Sequence, residues 1–438
     1  MSTSRPPAAL RASPPALRRE LGRWDLTAIG VNQVIGAAIF AIPGTLAASL
    51  GGWSWIAIAL VGLVALLIAL NFAEAGSRFD GTGGAYLYTR AAFGRFPSFE
   101  VGWMLWATRV TSWASVINAL TDALGYYWPN VTAGLPRAAV ITGIILTIML
   151  INVRGIRQSS ITLNILTIGK LTPLIVFVLV GVFFMTTDAL RPATSVTFQQ
   201  GLAAALVLIF AFGGYEAIPV PAGEAKNPRR DVPFAMVATI VIVCAVMMAV
   251  QIVALGTNPN LANAKSGAAL AESAALFLGA AGGLLMTTGA VISMTGNNVG
   301  QALSGSRNLY ALAEQGDLPR FFGHVHPRFS TPHVAIVFTC FVALSLALLS
   351  DFRALAAVSA VTRLLVYAGT CASVLALRRQ AGRAPFTIPL GPLVPVLALV
   401  ISIGLLYGAS ANQLLIGAYF LAGGALLFLI APRGGSRS

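Results

Sequence analysis

The sequence predicts an all-α multispanning membrane protein with twelve transmembrane helices. Composition, run length and the placement of basic residues each point there. Of 438 residues, 57% are hydrophobic and only 10% charged, with a mean hydropathy of +0.82. A soluble chain carries about 45–50% apolar and about 25% charged residues. The composition therefore excludes an ordinary globular enzyme, and it equally excludes a disordered chain, which needs low hydrophobicity and high charge. Lys and Arg outnumber Asp and Glu by 28 to 14, and the pI is near 10.5. A nucleic-acid-binding domain would gather that excess on one polar face. Here it sits in short tufts between apolar runs.

Residues 1–24 are rich in Pro, Ala and Arg, with no apolar stretch ahead of a cleavage site. They are expected to form a basic cytoplasmic arm rather than a secretory signal. Crossing the bilayer takes about 20 mostly apolar residues. Runs of that kind fall at 26–50, 53–76, 97–127, 136–152, 160–185, 200–222, 234–256, 268–297, 333–350, 354–377, 390–408 and 412–430. Twenty-one Lys and Arg residues occupy the arm, the tail and alternate loops, the latter including Arg78, Arg154, Lys226, Arg307 and Arg378. Only Arg137, Arg191, Lys265 and Arg353 occupy the opposite loops. The positive-inside rule then places both termini in the cytoplasm of an inner or plasma membrane protein. Cys244, Cys340 and Cys371 fall inside apolar runs and read as small core residues.

Two spans are not uniform helices. The first carries Val34-Ile35-Gly36-Ala37-Ala38-Ile39-Phe40-Ala41-Ile42-Pro43-Gly44, and the sixth carries Phe210-Ala211-Phe212-Gly213-Gly214-Tyr215-Glu216 with Pro219, Pro221 and Gly223 beyond. Glycine pairs weaken a helix and proline removes a backbone donor. Small-residue packing or a proline kink would account for either span alone. Two breaks five helices apart, in spans of opposite orientation, instead match an inverted repeat with a midplane site built from broken helices. Such a break offers N–H groups to a carboxylate and carbonyls to an ammonium, the two ends of an amino acid.

These residues resemble the amino acid–polyamine–organocation superfamily of permeases, with its leucine-transporter-like fold, over residues 25 to 430. Ile35-Gly36-Ala37-Ala38-Ile39-Phe40 is similar to the helix-one break of that family, and Gly83-Gly84-Ala85-Tyr86 to the motif opening its helix three. Phe212-Gly213-Gly214-Tyr215-Glu216 and the stretch Gly223 to Pro233 resemble its helix-six break and following loop. Ser306-Arg307-Asn308-Leu309-Tyr310, Gly316-Asp317-Leu318-Pro319 and Thr331-Pro332 resemble the loop after helix eight. The resemblance implies a ten-helix core over 25–379, made of inverted repeats 25–185 and 199–379, with peripheral helices over 390–431. It implies secondary active transport of amino acids, with a proton gradient as energy source and no cofactor. The partners expected are a small amino acid substrate and the lipid bilayer, not nucleic acid. Substrate contacts are expected from Val34, Gly36, Ala37, Ala38, Phe210, Ala211, Phe212 and Gly213. Ala38 departs from the family, which has glycine there, and its Cβ narrows the approach to the backbone N–H.

Charges inside spans are functional candidates because burying one costs at least about 2.5–3.5 kcal/mol. Lys170 lies about 16 Å into span five at 1.5 Å per residue, with no carboxylate among its sequence neighbours. A desolvated ammonium without a counter-ion can exchange its proton near neutral pH. In proton-coupled permeases a helix-five lysine stands where sodium-coupled relatives hold Na⁺, and by resemblance Lys170 is that residue. The alternative is an ammonium satisfied by helix-one carbonyls without cycling. Glu216 pairs with another helix, orients the break, or shapes substrate preference, and is the second proton-coupling candidate. Arg109 and Arg363 match no family motif, and Asp122 is expected at the interface.

Three further readings compete. An amino acid/amine exchanger shares the fold, but Lys170 argues for net proton-driven uptake. A membrane enzyme lacks a catalytic constellation, since the three histidines (His324, His326, His333) share one loop and complete neither a triad nor a metal site. Gly81-Thr82-Gly83-Gly84 lacks the Gly-Lys-Ser/Thr of a phosphate loop. A channel would show a selectivity ring rather than paired broken helices.

Overall fold

The computed structural model describes residues 19–125, 127–192, 195–264 and 268–430. Arg5, Arg11, Arg18, Lys265, Arg433 and Arg437 lie outside them, as do the side chains of Arg157 and Arg353. Fourteen α-helices follow one another in the described residues, and the only β pairing is an isolated bridge between Leu21 and Ala225. In chain order they are α1 (Arg23–Val34), α2 (Ala38–Leu50), α3 (Ser54–Gly76), α4 (Ala85–Phe93), α5 (Arg95–Leu124), α6 (Gly134–Arg154) and α7 (Ile156–Gly181). Then come α8 (Phe198–Phe212), α9 (Pro228–Thr257), α10 (Ala269–Glu314), α11 (His333–Leu349), α12 (Phe352–Ala381), α13 (Leu393–Gly404) and α14 (Ala411–Ile430).

Eight helical stretches among the described residues are long and apolar enough to cross a membrane, one of them combining α2 and α3. The apolar stretches His333–Leu349 and Leu393–Gly408 are shorter. Large apolar side chains face outward, among them Leu63, Ile168, Leu179, Phe341 and Leu429. Asn32, Gln33, Arg109, Lys170, Glu216, Asn297 and Gln301 are fully buried. Apolar outside and polar inside is the arrangement a bilayer selects, because only the protein interior can satisfy polar groups at that depth. The centre is formed by α5 packing on α10 and α12, with α1 against α7, α9 and α10. The last two helices flank this group: α13 lies on α12 and α3, and α14 on α5 and α12.

Two expectations are corrected. The eighth apolar window ends at 297, but α10 continues to Glu314, and Arg307 and the Ser306–Tyr310 segment are helical rather than loop. Hydropathy stops where Asn297 begins a polar run. The helix goes on because those polar groups find partners inside the protein: Arg307 Nε donates to Glu224 Oε1 at 3.0 Å with both side chains fully buried. The Gly83-Gly84 pair opens not the third span but the short α4, which precedes α5. Asp122, expected at the interface, is near the end of α5 with its side chain 58% exposed; it pairs with Arg137 at 2.5 Å and lines a cavity.

The first described residues are anchored. Glu20 and Leu21 N–H groups donate to Glu224 O (2.9 and 3.0 Å), and the Lys226 N–H donates to Leu21 O (2.8 Å).

Candidate functional site

Both predicted breaks are present. Ile35, Gly36 and Ala37 interrupt the run between α1 and α2. A helix end leaves carbonyls without intrahelical partners, and here the neighbouring helices take them up. Lys170 Nζ, from α7, donates to Asn32 O at 2.9 Å and Ile35 O at 2.5 Å. From α10, Ser293 Oγ sits 3.0 Å from Ile35 O and 3.1 Å from Gly36 O, and Asn297 Nδ2 donates to Gln33 O at 2.7 Å. The N–H groups of Ala37, Ala38 and Ile39, at the start of α2, have no acceptor among the described residues. The break is therefore satisfied on its carbonyl side and open on its N–H side, the polarity that attracts an anion.

α8 ends at Phe212, and no α-helix forms again until Pro228. Gly214 adopts φ +136°, a region L side chains rarely enter. A Cβ there would stand 2.6 Å from the carbonyl carbon and oxygen of Gln33. The two breaks thus touch backbone to backbone.

Glu216 organises the second break. Its Oε2 accepts from the Gly214 N–H (2.8 Å) and from the Tyr367 hydroxyl (3.0 Å). Its Oε1 accepts from Arg363 Nε at 2.9 Å and also pairs with Arg109 Nη2. Arg109 Nη1 reaches Gln301 Oε1 (3.2 Å), and Gln301 Nε2 reaches Asn297 Oδ1 (3.4 Å). A continuous polar chain consequently runs from Glu216 through Arg109, Gln301 and Asn297 to the carbonyls of α1 that hold Lys170. Sequence reasoning found Lys170 and Glu216 but not what joins them. A signal was available: Ser293, Asn297 and Gln301 recur at intervals of four, which puts them on one helix face, as are Arg363 and Tyr367.

A cavity of about 470 Å³ opens beside the first break, lined by Ala37, Phe40, Ala41, Met294 and Phe352, with Asp122 and Glu272 at the ends of their helices. Of the expected substrate residues, Val34 borders the contact between the breaks, its N 2.9 Å from where a Gly214 Cβ would stand. Gly36 faces Asn297 and Gly213 faces Arg363, while Ala37 lines the cavity and Ala38 and Ala211 are buried. Phe210 is half-buried, its ring 6.4 Å from that of Phe352 at 79° and 5.8 Å from the Arg363 guanidinium carbon. Phe212 instead faces α3, where a Cβ on Gly62 would lie 3.2 Å from its Cζ, and is fully buried. Of the two, only Phe210 stands between the cavity wall and the charged centre.

Gly36 faces Asn297 closely enough that an added Cβ would lie 2.8 Å from Nδ2 and 3.2 Å from Cγ. Gly36→Val is expected to abolish uptake while the protein still inserts and runs as a single species on size exclusion. Normal uptake by that variant would place the substrate elsewhere.

The profile of a family described as amino acid permease matches residues 21–426. The chain is similar to the methylthioribose transporter of Bacillus subtilis (strain 168), with 28% identity over 441 residues covering 95% of this chain and 94% of that protein. It is also similar to the serine/threonine exchanger SteT of the same organism, at 29% identity covering 87% and 89%. The branched-chain amino acid permease BcaP of that organism matches at 27% identity, covering 88% and 87%.

Proposed function

Because the chain belongs to the amino acid permease family, we propose that it is a secondary active transporter that imports amino acids by alternating access, driven by protons. The family and the relatives are permeases and transporters rather than enzymes. The observation that carries the coupling is the position of Lys170. Its ammonium bridges two carbonyls at the helix-one break, and among the described residues no carboxylate pairs with it. A cation there holds α1 to α7; its loss of a proton weakens the hold, and the break is free to rearrange.

The proposed architecture has twelve spans. A core of 25–379 is formed from inverted repeats 25–185 and 199–379, residues 390–431 are peripheral, and both termini are cytoplasmic. The substrate carboxylate would meet the open N–H groups of Ala37 and Ala38, and Phe210 would close over it. Phe210→Ala is expected to raise the apparent KM several-fold with protein levels unchanged, whereas Phe212→Ala should cost stability, about 3–5 kcal/mol for a buried phenylalanine. Equal KM values for the native protein and Phe210→Ala would assign the ring to packing.

Exchange is the second reading, favoured by the similarity to a serine/threonine exchanger. Purified protein in liposomes separates the two. Proton-driven import predicts accumulation of radiolabelled amino acid into empty vesicles under an inward pH gradient. Exchange predicts uptake only when the vesicles are preloaded.

A further inference from the structure

We propose that the substrate is a small carboxylate of net negative charge, and that Arg363 binds its additional anionic group. The proposal rests on the permease reading and names the substrate class of the same site.

Four ionisable groups are buried at the joined breaks: Arg109, Lys170 and Arg363 as cations, and Glu216 as the one carboxylate. The other fully buried acidic residues each have an arginine of their own: Glu74 with Arg378, Glu224 with Arg307, and Asp317 with Arg90 and Arg95. The partnerless Glu100 carboxylate lies against Gly424 of α14, away from the breaks. Lys170 can discharge by losing a proton. A guanidinium cannot at any accessible pH. Arg109 and Arg363 share Glu216, so one positive charge persists there whatever the state of Lys170.

The acceptors tell the same story. On the α1 side the carbonyls that could receive a substrate ammonium are taken. Asn32 O, Gln33 O, Ile35 O and Gly36 O accept from Lys170, Asn297 and Ser293, and Val34 O accepts from the Gly36 N–H. By contrast, Ala211 O and Gly213 O accept from no described residue. Phe210 O accepts from the Gly213 N–H at 3.1 Å and from Arg363 Nη1 at 3.5 Å. Arg363 lies directly over Gly213, where a Cβ would fall 2.0 Å from Nη1. The guanidinium therefore puts a fixed positive charge beside the open carbonyls of the second break, which disfavours an ammonium there.

Open donors are present as well, alongside the unpartnered Gln33 Oε1. The Ala37, Ala38 and Ile39 N–H groups are open, Arg109 Nε is buried without a partner, and Arg363 Nη2 donates to no described residue. At the cavity mouth Asp122 is offset by Arg137. Glu272 also lines the cavity, near the start of α10, where water and salt screen a charge far more than the buried centre is screened.

The test uses purified full-length protein in liposomes and four radiolabelled probes: L-glutamate, 2-oxoglutarate, L-alanine and L-arginine. At least one anion is expected to be taken up about tenfold or more faster than alanine, the scale of one charge-assisted hydrogen bond, with arginine excluded. The two anions report whether the amino group is required. Arg363→Gln should bring anion uptake down to the level of alanine, and Arg363→Lys should keep part of the preference. Alanine or arginine moved as well as both anions overturns the inference and leaves the permease reading standing. An anion preference that survives in Arg363→Gln overturns the role of Arg363. No uptake of any probe by monodisperse native protein overturns the permease reading and this inference with it.

Discussion

Replacing Lys170 with alanine is expected to remove the dependence of uptake on external pH. In the native protein, uptake should rise as the outside is acidified and should be indifferent to Na⁺. The reason is local. Lys170 is fully buried, and its ammonium spans Asn32 O and Ile35 O, the carbonyls on either side of the point where α1 gives way. Protonated, it ties α7 to that point by two charge-assisted bonds, each worth roughly 1.5–3 kcal/mol. Neutral, it keeps at most ordinary hydrogen bonds, and the tie weakens. Ser293 still satisfies Ile35 O when the lysine is removed, so Lys170→Ala should fold. Lys170→Arg should fold as well but fail to turn over, because a guanidinium does not release its proton. Initial uptake rates between pH 5.5 and 8.5, with the pH gradient imposed and then collapsed, make the comparison. A full proton-driven curve in Lys170→Ala would move the coupling elsewhere. Glu216 would be next, although protonating it would leave two guanidinium groups without their carboxylate.

The second large effect concerns stability. Glu216→Ala is expected to lower the unfolding free energy by about 3–5 kcal/mol, the usual consequence of removing one partner from a buried ion pair. What is lost is more than attraction. Arg109 and Arg363 would face one another across the vacated volume, and the Gly214 N–H and Tyr367 hydroxyl would lose their acceptor. Glu216→Gln keeps an acceptor without the charge and should fall between the two. Asp80→Ala is the control: it breaks a water-exposed pair with Arg229 and should leave the unfolding transition where it was. Denaturation of the detergent-purified proteins followed by circular dichroism gives the comparison. A Glu216→Ala transition indistinguishable from that of Asp80→Ala would show that the carboxylate does not hold the second break together.

What the sequence makes legible here follows from which physical quantities are local. The breaks at Ile35–Ala37 and Gly213–Gly214 could be read directly, since glycine and proline at membrane depth act on their own backbone. Lys170 was also visible, because an isolated ammonium in an apolar run is conspicuous without knowledge of its neighbours. Arg109 and Arg363 were equally conspicuous, but their meaning was not local. Their common partner lies 107 and 147 residues away, and only packing of α5 and α12 around the second break brings the three together. The extension of α10 was hidden for a related reason. A hydropathy window scores Asn297, Gln301 and Arg307 as though they faced water, when they face Gln33, Arg109 and Glu224.

The small bridge near the start of the described chain has a mechanical consequence. Leu21 is clasped to Ala225 at one height, and Gln33 abuts Gly214 at another. Ten residues of α1, Arg23 to Asn32, lie between the two attachments, about 15 Å at 1.5 Å per residue. A rod pinned at two well-separated points can neither swing nor slide against what it is pinned to. The first span and the segment after α8 must travel as one piece, and Lys170, on α7, grips that piece from outside. Under the proposed coupling, the proton on Lys170 would act as a latch between two bodies rather than as a passenger on one of them.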